Sequence, residues 1–321
     1  MPLVPHSSYR APWWMVGGHV QTIVPALMRK GARVTQRAER IELEDGDFLD
    51  LEWLEEGRGR LAILSHGLEA DAGASYVQGM AGALFRQGWD VLVWSYRGCS
   101  GEMNRLPRFY HSGATEDLSA VIEHALAVHS AREVDLVGFS LGGNLTLKYL
   151  GEREGRHSSR LHRAVAISVP CDLACSSRAL DSLVNRTLYM RRFIKSLGGK
   201  IRDKQPDFPE HFDTAGIEGI ATFREFDDRY TAPLHGFEDA EDYWRQASSK
   251  QFLGGVAIPS LLINAANDPF LGPNCYPEEE AVASAFLHLE IPQAGGHVGF
   301  PVAVGEDPWM ESRVIEFLRT L

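Results

Sequence analysis

A serine, a carboxylate and a histidine, each just past the end of a strand-like run, are the residues of this chain whose types and order could do chemistry. Ser140 lies in Gly138-Phe139-Ser140-Leu141-Gly142, between the β-rich run 133–137 and the helix-like run 144–150. A serine at such a junction sits in a strained turn that exposes its hydroxyl, and glycines two positions to either side let neighbouring backbone approach without a Cβ clash. A hydroxyl becomes a nucleophile at neutral pH only with a base beside it, and the base needs an acid to orient it. Residues 260–264 read as a buried strand that runs into Ala265-Ala266-Asn267-Asp268-Pro269, where the proline ends the ladder and leaves Asp268 on a loop. Residues 286–291 read as the next strand, and the glycine-rich Gln293-Ala294-Gly295-Gly296-His297 that follows can bring an imidazole to a neighbouring strand end. The chemistry this predicts is two-step acyl transfer: Ser140 attacks, His297 takes its proton, and Asp268 holds the imidazole. The Leu141 N–H, at the start of a helix whose dipole favours negative charge, is expected to receive the developing oxyanion.

Upstream, the strand-like run 61–65 is followed by His66-Gly67-Leu68-Glu69-Ala70. With these four segments in hand, the chain resembles the α/β-hydrolase superfamily over nearly its whole length. The order Ser, Asp, His is that superfamily's order. A closer resemblance is to the bacterial YheT-like hydrolases and the related membrane-associated lipases of eukaryotes. It rests on His19-Val20-Gln21-Thr22, the His66–Ala70 run, Arg97-Gly98-Cys99-Ser100-Gly101 and Tyr110-His111-Ser112-Gly113-Ala114-Thr115-Glu116-Asp117, with Ala70 standing where the family has glycine. The resemblance implies a serine esterase or lipase acting on acyl esters, or an acyltransferase that passes the same acyl-enzyme to an alcohol. It also implies the Leu68 N–H as the second oxyanion donor. His66 is expected to fix its loop, and His111 to orient a helix start. The His19–Thr22 element is placed near the pocket with no catalytic role deducible.

The elements that must position these residues read as an α/β fold: a mainly parallel central sheet with helices on both faces. The chain opens with a hairpin, 33–43 against 48–55 about Asp45-Gly46. The first helix is expected at 76–87, a strand at 90–94, a helix at Thr115–Val128 and a strand at 164–169. One domain, 1–321, is expected, with residues 172–255 as a helical cap inserted in it. In that insertion Leu183, Leu188, Tyr189, Met190, Phe193 and Ile194 form an apolar face, 200–212 is polar, and Arg186, Arg191 and Arg192 are on the outside. Trp13 and Trp14 are expected to pack across the cap or a sheet edge, and Asp117 to serve its helix dipole.

The 321 residues, 44 % hydrophobic and 23 % charged, suffice for one large core. The net charge of −11 argues against a nucleic-acid binder and against electrostatic anchoring to anionic lipid, although transient lipid contact stays open. Cys99, Cys171, Cys175 and Cys275 lack metal spacing, and Glu123 with His124 or His129 does not match the zinc-protease pattern, so no metal and no cofactor are expected. Buried free thiols, no membrane span and no signal-like leader predict a cytoplasmic protein whose partner is a small acyl ester. Three alternatives stand beside the ester hydrolase: the acyltransferase, a peroxidase-like use of the triad, and a catalytically idle binding protein.

Overall fold

Runs such as Val91-Leu92-Val93-Trp94 and Leu261-Leu262-Ile263 show no polar alternation, so as strands they need cover on both faces. The computed structural model describes residues 3–29 and 33–320. Its strands are β1 (Arg37–Glu42), β2 (Phe48–Leu54), β3 (Arg60–Ser65), β4 (Asp90–Ser95), β5 (Glu133–Phe139), β6 (Leu161–Ile167), β7 (Ser260–Ile263) and β8 (Leu287–Glu290). They form one sheet in the order β1-β2-β4-β3-β5-β6-β7-β8. The β1–β2 hairpin joins β4 antiparallel, and every later neighbour is parallel. A parallel sheet needs crossovers, and helices supply them.

The helices are α1 (Gly18–Met28), α2 (Ser75–Arg86), α3 (Thr115–Val128), α4 (Leu141–Arg153), α5 (Leu173–Leu180), α6 (Arg191–Lys204), α7 (Ala240–Ala247), α8 (Glu278–Ala283) and α9 (Trp309–Arg319), with shorter turns between them. Leu92 and Trp94 face Leu118, Val121 and Leu145 of α3 and α4, whereas Val91 and Val93 face Val77, Val314 and Leu318 of α2 and α9. That alternation is the pleat of β4 read out as two cores. Among the described residues no helix is long and apolar enough to cross a membrane.

The expected hairpin and the helix at Thr115–Val128 are present. Helix α1 is a departure, since the first helix was expected at 76–87. It starts without a side-chain cap, after Gly17, and contains Pro25, so the usual start signals are missing. A second departure concerns the stretch between β6 and β7. Tyr189, Met190 and Ile194 are buried with Ile201, Phe212, Phe226 and Tyr230, but Leu183 is 84 % and Leu188 44 % exposed. The polar segment expected from residue 200 begins inside α6, where Ile201 and Lys204 are buried.

A third departure is Asp117, whose role extends beyond its helix dipole. Arg97 donates from Nε and Nη2 to Asp117 Oδ2 and Oδ1 at 2.8 and 2.7 Å, and from Nη1 to Asp45 (2.8 Å) and Asp47 (3.0 Å). Asn104 Nδ2 completes the cluster on Asp47 at 2.6 Å. One buried guanidinium thus ties the β1–β2 turn to the start of α3. Burial alone would raise the Asp47 pKa, but hydrogen bonds from Asn104, backbone amides and Arg97 outweigh it and hold the pKa below the usual value. Its folded pKa being depressed, the stability it contributes is present at neutral pH and lost as pH falls through the acid range. Arg97→Met should cost about 3–5 kcal/mol in urea unfolding at neutral pH, because it strands buried carboxylates. The difference from wild type should shrink at acid pH, where those carboxylates are protonated.

Candidate active site

The geometry at Ser140 follows from its neighbours. Ser140 has φ 52° and ψ −116°, a conformation that costs a non-glycine residue of order 1–3 kcal/mol. It persists because the backbone has nowhere else to go. A Cβ on Gly138 would stand 2.3 Å from the Gly142 carbonyl oxygen, and one on Gly142 would stand 2.4 Å from that of Ser65. The strand, the turn and α4 are therefore in contact through glycine alone.

Three strand ends bring the candidate residues together. Ser140 follows β5, Asp268 lies on the loop after β7, and His297 on the loop after β8. His297 Nε2 is 2.9 Å from Ser140 Oγ, and His297 Nδ1 is 2.8 and 3.1 Å from the two Asp268 oxygens. A carboxylate has no hydrogen to give, so Nδ1 carries the proton and Nε2 keeps a lone pair toward the serine hydroxyl. The Asp268 side chain is fully buried and also accepts from the Phe270 N–H at 2.9 Å. The Phe270 ring lies over the imidazole, centroids 4.1 Å apart and planes at 23°.

Leu68 and Leu141 both line the cavity beside Ser140. In the first loop the Gly67 N–H donates to Tyr76 OH (2.8 Å) and the Glu69 N–H to Tyr110 OH (3.0 Å). Among the described residues the Leu68 and Leu141 amides have no such partner. His66 is buried, donates from Nδ1 to the Gly67 carbonyl (2.8 Å) and accepts the Tyr96 N–H on Nε2 (3.2 Å). Burial pushes its pKa down to about 3, so it holds the loop as a neutral ring.

Glu69 adds a tie that sequence reasoning missed. Its φ is 51°, and its carboxylate accepts from Tyr110 OH (2.7 Å), from Lys200 Nζ of α6 (2.7 Å) and from the Ser196 hydroxyl. Lys200 Nζ also reaches Cys99 Sγ at 3.0 Å. Burial works against the Lys200 ammonium, but Cys99 and Glu69 more than offset it and hold its pKa above the ordinary lysine value.

The His19–Thr22 element turns out to brace the site. Gln21 Oε1 accepts from Asn267 Nδ2 (2.9 Å) on the Asp268 loop and from the Gly295 N–H (2.7 Å) on the His297 loop. Thr22 Oγ1 accepts the His297 N–H at 2.9 Å, and Gln21 Nε2 donates to the Met15 carbonyl at 2.5 Å. Ser168, at φ 55° beyond β6, accepts the Val298 N–H at 2.9 Å. The only sequence signal for the first two was the family-like His-x-Gln-Thr run; for Ser168 there was none.

Above Ser140 opens a cavity of about 820 Å³, walled mainly by apolar side chains such as Ile23, Leu180, Phe193, Leu197, Phe223 and Phe226. Arg192, expected on the outside, is exposed and also lines the cavity. At one end are His111 and Asp227. Burial lowers the His111 pKa well below normal, and burial raises Asp227 to about 7 despite hydrogen bonds from Thr231 (2.6 Å) and Trp244 Nε1 (2.8 Å). Among the described residues no group of three or more His, Cys, Asp and Glu could hold a metal ion.

Residues 63–303 match the family model described as alpha/beta hydrolase fold. The chain belongs to that family. A protein of Escherichia coli named YheT, a candidate esterase by name, is 36 % identical over 94 % of this chain and 90 % of its own. A phospholipase of Mus musculus is 29 % identical over 93 % of this chain and 74 % of its own. Among solved structures, an esterase of Pyrococcus furiosus superposes with a TM-score of 0.58 at 17 % identity, covering 89 % of this chain and 92 % of that one.

Two outcomes follow from this α/β-hydrolase site. Gln21→Leu removes the acceptor shared by two loops and should lower kcat about 10- to 100-fold on a soluble ester with little change in KM. Gln21→Glu keeps the acceptor for both loops but turns a second oxygen toward the Met15 carbonyl in a buried position, so it should recover only part of the loss. For Asp227 the folded pKa lies above the unfolded value of about 3.9, so its burial costs more stability as pH rises from about 4 through 7. Asp227→Asn should therefore gain on wild type in urea unfolding as pH is raised from about 5 to about 8, and a constant difference would refute the assignment.

Proposed function

We propose that this protein is a serine hydrolase of carboxylic acyl esters, with Ser140 as nucleophile, His297 as general base and acid, and Asp268 as the orienting carboxylate. The observation that carries the reading is the continuous relay Asp268–His297–Ser140, with contacts of 2.8 and 2.9 Å. In the first step Ser140 Oγ attacks the ester carbonyl as its proton passes to His297 Nε2, and the new C–O bond leaves an oxyanion between the Leu68 and Leu141 amides. Collapse breaks the bond to the leaving alcohol, which departs with the proton from Nε2. Water then gives its proton to Nε2 and attacks the acyl-enzyme, and collapse of the second tetrahedral species returns the acid and free Ser140.

We read residues 172–255 as the cap of a single hydrolase domain, closing the acyl cavity. What supports this is the set of cavity-lining residues from that stretch, Leu173, Leu180, Phe193, Leu197 and Phe223 among them. Water excluded there strengthens the oxyanion hydrogen bonds. The names of the relatives, an esterase and a phospholipase, agree with an ester substrate. The apolar walls favour an acyl chain, with each buried methylene adding up to about 0.8 kcal/mol until the cavity is full.

Ser140→Ala should cut ester turnover by roughly three to six orders of magnitude and abolish labelling by a fluorophosphonate; labelling at the wild-type rate would exclude Ser140 as nucleophile. Asp268→Asn should lose about four orders in kcat by stabilising the wrong imidazole tautomer. Across p-nitrophenyl esters kcat/KM should rise from acetate through butyrate toward octanoate, then fall. A steady decline from acetate would rule out an acyl-binding cavity.

A further inference from the structure

Nine of the thirteen large apolar side chains that are exposed among the described residues fall in two short segments, 13–28 and 183–188. Trp13 is 86 % exposed and Trp14 49 %; the two rings meet edge to face at 5.7 Å instead of packing over the sheet or cap as expected. Val20 and Leu27, seven residues apart and so on one face of α1, are also exposed, as are Leu183 and Val184. Isolated exposed apolar residues are ordinary, but a concentration like this marks an interaction surface.

The two segments touch, and they frame the entrance to the cavity. His19 Nδ1 is 3.1 Å from Tyr189 OH, with the rings stacked at 5.9 Å. The exposed residues among those lining the cavity are Ala26, Leu27, Leu188, Arg192 and Ser196, and every one comes from α1 or from residues 188–196. The apolar surface therefore reaches the mouth through which an ester must enter at Leu27 and Leu188.

Charge identifies the occupant. Residues 1–38 contain five Lys and Arg and no Asp or Glu, and residues 183–202 contain six and none, in a chain whose net charge is −11; of these, Arg33, Arg37, Arg186, Lys200 and Arg202 are paired with carboxylates from outside the two segments. Arg191, Arg192 and Lys195 are exposed and have no ion-pair partner among the described residues. The negative total hides a locally cationic, tryptophan-bearing face. Tryptophan favours the headgroup level of a bilayer, and clustered Lys and Arg favour anionic phosphate.

We propose that this face docks on an anionic lipid–water interface and presents the cavity mouth to it, with Trp13, Trp14 and Leu183 at headgroup depth and Arg191, Arg192 and Lys195 against lipid phosphate. Docking goes beyond the hydrolytic reading and needs no Ser140, so the two fail separately. The full chain should co-sediment with phosphatidylcholine vesicles containing about 30 % phosphatidylglycerol, weakly with phosphatidylcholine alone, and should be released by about 0.5 M salt. Trp13→Ser with Trp14→Ser should lower partitioning at least about tenfold, and Arg191→Glu with Lys195→Glu should erase the anionic preference. Both double variants should turn over a water-soluble acetate ester as wild type does, which separates lost docking from misfolding. Equal binding to both vesicle types, or insensitivity to both double variants, would overturn the proposal. So would a lipid-free dimer that the tryptophan variant breaks, which would assign the face to a second copy of the chain. Vesicle binding without ester turnover would support docking and overturn the hydrolytic reading alone.

Discussion

The hydrogen bond between Ser140 and His297 joins residues 157 positions apart, and the proposed relay requires that this contact stay near 2.9 Å. An error of about 1 Å can cost 10²-fold in rate, so the loops after β5, β7 and β8 must be held to within fractions of an ångström. The parallel sheet fixes where each loop begins. It does not fix where each ends, since backbone past the last ladder hydrogen bond is free to turn. Gln21 and Thr22 close that gap, because α1 places one carboxamide oxygen between Asn267 and Gly295 and one hydroxyl under His297 N–H. The proposed orienting carboxylate and base are thus braced by a helix that, among the described residues, makes no hydrogen bond to either the carboxylate or the imidazole.

Strain at the site is distributed in the same way. Ser140, Glu69, Ser168 and Val298 all adopt positive φ without being glycine. Each is held by a backbone hydrogen bond: Ser140 N–H to the Ile167 carbonyl (2.8 Å), Glu69 N–H to Tyr110, Ser168 N–H to the Ile263 carbonyl (2.7 Å) and Val298 N–H to Ser168 Oγ. The strain of these turns is offset by β3, β5, β7 and α4 beneath them, which are almost completely buried.

What is legible in the sequence is local. The runs that form β3, β4, β5, β7 and β8 are hydrophobic, short and bounded by turn residues, so the strand ends carrying Ser140, Asp268 and His297 can be named from residue types and spacing alone. Helix α1 cannot, because it lacks a polar cap, contains a proline, and owes its place to partners more than 240 residues away. Asp117 escapes for the same reason: its helix position explains it sufficiently in one dimension, while its bidentate partner Arg97 is visible only in three. Between β6 and β7, periodicity finds an amphipathic helix but does not say that its apolar side is shared between a buried cluster and the cavity mouth.

The Glu69–Lys200 pair links these two scales. Taking both charges out of water costs several kcal/mol, and apolar residues of like volume would often serve stability as well, so stability alone does not account for it. Its geometric effect is specific. Glu69 follows Leu68 directly, and Tyr110, Ser196 and Lys200 all converge on its carboxylate, so the direction of the Leu68 N–H is set by the position of α6. In the proposed mechanism α6, which contributes to the cavity wall, thereby also bears on the Leu68 oxyanion donor through one buried carboxylate.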